Sequence, residues 1–85
     1  MDKKKIAYEL DELERELRAM VLEGHFSEDA TDCLLRMVAA GELNIAFETL
    51  VDNMSEYEER VFSPDFRGRL AKVRERLDGL PPGYV

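Results

Sequence analysis

The chain has no tryptophan, one cysteine, one histidine and no run of 18 apolar residues among its 85 positions. Each shortage excludes something. A lone thiol, Cys33, cannot close an internal disulfide, which suits a reducing compartment. Without a long apolar run, no membrane span is expected. Lys3, Lys4 and Lys5 open the chain as a signal peptide would, but acids follow where an apolar core is required, so a cytoplasmic protein is expected. His25 lacks a second histidine at i+4, and Cys33 lacks a Cys-x-x-Cys partner, so neither metal nor cofactor is expected. His25 reads as a turn residue. Cys33 falls on an apolar stripe and reads as core, since nothing beside it would favour a nucleophilic thiolate. The five glycines stand singly, so no loop cradles a phosphate. A catalytic carboxyl would need an apolar pocket that raises its pKa, and the acids here fall on solvated faces. These shortages together argue against an enzyme.

Runs of β-branched residues are also missing, while Leu, Glu, Arg and Ala dominate. Those are good helix formers, and strands have little support. Hydrophobic residues make up 45% of the chain, enough to fold one small core. The spacing and punctuation give four helical segments. The first runs from about Lys3 to Glu23 on the seam Ile6, Leu10, Leu13, Leu17 and Met20. Its three lysines oppose the helix dipole, so a frayed first turn is expected, and Gly24 is the natural C′ residue. Ser27 caps the second segment, with Ala30, Cys33, Leu34, Met37 and Val38 as its stripe and Gly41 as its stop. The third takes Glu42 to about Glu56 on Leu43, Ala46, Phe47, Leu50, Val51 and Met54. Tyr57 to Phe62 is either a frayed extension or a connector plugged by Val61 and Phe62. Ser63-Pro64 starts the fourth segment, Phe66, Leu70, Val73 and Leu77 form its seam, and Gly79 ends it. Short connections place successive helices roughly antiparallel. The expectation is a single-domain, all-α, compact four-helix bundle over residues 1–80, with residues 81–85 as a tail.

The net charge is −7, and it is unevenly spread. Residues 41–62 carry six acids and one base, whereas residues 63–85 carry three acids and five bases. An acidic surface repels nucleic acid and anionic lipid and attracts basic partners. Arg67, Arg69, Lys72, Arg74 and Arg76 lack an aromatic platform for nucleic acid. They are expected to cover the bundle or to pair with acids of the third helix. On that third helix Glu48, Asp52 and Glu56 recur at i, i+4, where like charges repel and add nothing to helix stability. Ile45 lies among them, opposite the apolar stripe. If exposed, it is an aliphatic anchor ringed by charge, the composition of a binding centre. If the helix is buried on two sides, Ile45 is core. Tyr57 and Tyr84 are candidate aromatic anchors.

The Gly41–Glu59 stretch resembles the small MafI-type immunity proteins of bacterial polymorphic toxin systems. The shared block reads here Gly41-Glu42, Ala46-Phe47-Glu48, Leu50, Asp52-Asn53 and Glu56-Tyr57. Val51 stands where that family often has cysteine. The resemblance implies an antitoxin-like protein that binds a cognate toxin domain with a basic surface, often a nuclease, and blocks its active groove. The residues it implicates are Glu42, Glu48, Asp52, Asn53, Glu56 and Glu59, with Ile45 and Tyr57 as anchors. Asn53 also reads as a local cap. A second reading is a small helical adaptor whose four–three seams, on the first and fourth helices, mediate a homodimer or merely close the bundle.

Overall fold

The computed structural model describes residues 2–56, 62–81 and 83. Among the described residues it has four helices and no strand: α1 (Lys3–Glu23), α2 (Glu28–Ala39), α3 (Leu43–Glu56) and α4 (Pro64–Asp78). The all-α, four-helix architecture is as the sequence predicts. None of these helices is long and apolar enough to cross a membrane.

The helix ends show why the chain breaks where it does. At the start of α1 the Asp2 carboxylate accepts a hydrogen bond from the Lys4 amide at 3.0 Å. A negative cap at this position offsets the lysines and closes a first turn that the sequence suggests would fray. At the other end the left-handed residue is His25, with φ +52°, and not Gly24, which stays right-handed at φ −71°. Glycine is needed at 24 for space: a Cβ there would lie 2.2 Å from the Phe26 ring. The Ser27 and Ser63 hydroxyls cap α2 and α4, accepting from Ala30 N and Phe66 N. Between α2 and α3 the chain makes a full Schellman closure. Gly41, at φ +77°, donates to Val38 O, and Glu42 donates to Met37 O, both at 3.0 Å. That closure turns the chain sharply and delivers Glu42 to the head of α3.

α1, α2 and α3 pack on one another, and α4 lies against α1 and α3. Leu13, Leu17, Met20, Leu34, Val38, Leu43, Leu50 and Val73 are fully buried at their centre. The four–three seams of α1 and α4 therefore face this shared core within one chain, which is the bundle-closing use of them. A homodimer would have to use another surface. Phe26, Phe62 and Phe66 stack in sequence at one end of the core, with ring centroids 6.1 and 5.2 Å apart. Phe62 is thus the plug that the connector reading anticipates. Val61 and Tyr57 lie outside the described residues.

Two sequence expectations are corrected by the packing. Cys33 is exposed, not core. The buried stripe of α2 narrows to Leu34 and Val38, and Cys33 falls beyond its edge. Val51 is 38% exposed, because it sits on the rim of the α3 stripe that Leu43, Ala46, Phe47 and Leu50 fill.

Candidate functional site: the outer face of α3

A helix held by its apolar stripe must show its other side to water. On α3 that outer side carries Asn44, Ile45, Glu48, Val51, Asp52, Ser55 and Glu56, all exposed. Ile45 is 50% exposed, so the core reading of this residue is set aside. At about 100° per residue, Ile45 and Val51 fall on opposite sides of Glu48 and Asp52. The face is therefore two aliphatic side chains bracketing carboxylates that recur every turn. Glu42, also exposed, extends it around the Schellman corner. Asn53 is half-buried and its side-chain amide donates to Thr49 O at 2.8 Å, the local use of that residue. Tyr57, Glu59 and Tyr84 lie outside the described residues.

The arginines of α4 do not neutralise this face. Arg69 reaches α1, where its Nε donates to Glu16 at 2.6 Å and its two terminal nitrogens fork onto Glu23 at 2.9 Å each. Arg76 donates to Glu9 and lies 4.0 Å from Glu12. Arg74 is placed over the Phe47 ring, 4.6 Å from its centroid, and is 4.0 Å from Asp78. Arg67 donates to Phe62 O. Among the described residues no ion pair reaches Glu42, Glu48, Asp52 or Glu56. Of the two expected uses of these side chains, pairing with acids of the third helix is corrected, while Arg69 and Arg76 do cover the bundle, lying against α1. A signal for the true pairing was present: Glu9, Glu16 and Glu23 recur every seven residues, as do Arg69 and Arg76. Seven residues are two helical turns, so equal spacing aligns the two rows along antiparallel helices.

These pairs perturb titration. The Arg76 guanidinium, through its hydrogen bond, holds the Glu9 carboxyl below the ordinary carboxylate range, and Arg69 does the same to Glu23. A carboxyl with a depressed folded pKa stabilises the fold above its unfolded value and loses that contribution as pH falls through its folded value. Urea unfolding of the wild type and of the Arg69→Gln/Arg76→Gln double variant should accordingly give a stability gap that is present at pH 6 and shrinks as pH falls to 3. A gap that stays constant over that range would mean the arginines act through the packing of their stems.

A groove of about 480 Å³ lies on α2 beside this face, lined by Asp29, Asp32, Cys33, Arg36, Met37, Ala40 and Glu42. Sequence reasoning missed it because it places Cys33 in the core. Among the described residues no group of three or more His, Cys, Asp or Glu side chains is arranged to hold a metal ion. Comparison with protein-family models, with curated proteins and with solved structures gives no match to this chain.

Proposed function

We propose that this is an immunity-type protein, a small helical module that binds and neutralises a basic toxin domain through the outer face of α3. One observation carries the reading: Ile45 is half-exposed on a face whose acids have no ion-pair partner among the described residues. A lone exposed aliphatic is ordinary on a protein surface, but here Ile45 and Val51 flank carboxylates whose like charges at i, i+4 are destabilising. An apolar anchor within a charged surround is what a specific interface uses. The acids repeat every turn, roughly 6 Å along the axis, a pitch close to that of phosphates along a nucleic-acid strand. The face therefore suits the cleft of a nuclease-like partner better than nucleic acid itself, from which like charge repels it. The resemblance of the Gly41–Glu59 block to MafI-type immunity proteins supports the same reading. The residues assigned to contact are Glu42, Ile45, Glu48, Asp52 and Glu56, with Tyr57 and Glu59 following in the same acidic segment.

The test is protection. Cells producing the toxin domain encoded next to this gene should survive when this chain is co-produced, and should die when it carries Ile45→Asp. Death in both cases, with the chain present and folded, would remove the reading.

A further inference from the structure

We propose that α4 is a latch: it lifts from α1–α2–α3 as a unit ahead of global unfolding, and the two arginine clasps on α1 hold it shut. The core is built mainly without it. Of the nine large side chains less than 2% exposed, eight belong to α1, α2 and α3, and only Val73 belongs to α4. α1, α2 and α3 each pack on the other two, while α4 packs on α1 and α3 alone. Its other buried residues, Phe66 and Leu77, sit nearer the rim of the core, at 6% and 3% exposure. What α4 lacks in central burial it replaces with charge. Arg69 spans Glu16 and Glu23, Arg76 spans Glu9 and Glu12, and these pairs align along an antiparallel α1–α4 contact. The pairs are part-exposed, with side chains 25–51% accessible, so water and salt reach them.

Salt weakens such pairs and leaves the apolar α1–α2–α3 core untouched, so the latch is ionic-strength sensitive by construction. Opening has a chemical consequence. It uncovers apolar surface of α1 and α3, on which α4 packs, and frees Glu9, Glu12, Glu16 and Glu23 from their arginines. The acidic body then gains four unpaired carboxylates while its basic helix swings away. A strongly basic partner competes with Arg69 and Arg76 for those carboxylates and favours the open form.

Native-state hydrogen exchange of the full chain tests this, comparing amides of Leu70, Val73 and Arg74 in α4 with those of Leu34 and Val38 in α2 and Leu50 in α3. At 20 mM salt the α4 amides should exchange about tenfold faster than the others, as a separately opening unit does. Raising salt to 0.5 M should widen that gap a further ~3–10-fold, as should Arg69→Gln/Arg76→Gln at low salt, with no further salt effect in the variant. Arg15→Gln removes one charge from an exposed pair with Asp11, away from the α1–α4 contact, and should leave the gap unchanged. Equal exchange rates for the α4 amides and those of α2 and α3 in the wild type, insensitive to salt, would overturn the latch. So would a gap that Arg15→Gln widens as much as the double variant does. Neither result bears on whether the α3 face binds a toxin.

Discussion

Replacing Leu50 with alanine will destabilise the protein by about 3 kcal/mol, within the range for leucine truncations in well-packed cores. Leu50 has no solvent exposure and lies on the inner side of the helix that displays the acidic face. Truncation removes apolar burial and leaves a cavity. Leu13, Leu17, Leu34 and Val38 belong to the same buried cluster and are themselves fully buried, so little can collapse into the gap. A domain of this size is stable by roughly 4–13 kcal/mol, so the loss is a large share of the total. At about 4–8 °C per kcal/mol, the melting temperature should fall by 12 °C or more. Val51→Ala is the matched control one residue on. Its side chain is 38% exposed at the rim, so its truncation should cost about 0.5 kcal/mol or less. Chemical denaturation would separate the two, with an unchanged slope confirming that the unfolded state is not altered. Equal effects at 50 and 51 would mean that α3 does not present the inner and outer sides described.

The difference between those neighbouring residues also marks how far the sequence carries. The four helices are legible because their punctuation is local: Ser27 and Ser63 as caps, Pro64 at the first turn and Gly41 at a left-handed closure act within a few residues. The centre of each apolar stripe is legible for the same reason, as Leu34, Val38, Leu43, Leu50 and Val73 testify. Stripe edges are not, because the width of a buried stripe depends on how closely the neighbouring helix approaches. Cys33 and Val51 both sit on edges, and both are more exposed than periodicity implies. Gly24 teaches a related lesson. Its position at a helix end is a sequence signal, but its cause is the ring of Phe26, which only the folded turn brings over it.

Long-range charge pairing is the other thing that local reasoning misplaced. Acids of α3 and bases of α4 are neighbours along the chain, yet no ion pair joins them among the described residues. The helices place the arginine row against α1 instead, more than 45 residues away in sequence. That choice decides the character of the surface. Had Arg69 and Arg76 turned to α3, two of the four acids Glu42, Glu48, Asp52 and Glu56 would be paired and the charged surround of Ile45 would be halved. Because they turn to α1, the ridge keeps its charge.

Reversing that charge is the second large effect. Glu48→Lys combined with Asp52→Lys should slow association with the proposed toxin domain by about 10–100-fold at 20 mM salt, since steering of this kind accounts for one to three decades in rate. In 1 M salt the screening length falls to about 3 Å, and the two proteins should associate at rates within a factor of about two. Stopped-flow association over a salt series gives both limits. The fold should not suffer, because neither acid has an ion-pair partner to lose among the described residues, and a lysine at 52 gains Glu56 at i+4. Ile45→Ala separates the anchor from the steering. It changes no charge, so the association rate should hold while dissociation quickens by about tenfold or more, as truncation of a central apolar contact does. A double reversal that leaves the rate untouched at every ionic strength would mean that partners do not approach this face. An Ile45→Ala variant that dissociates as slowly as the wild type would mean that they approach it without resting there.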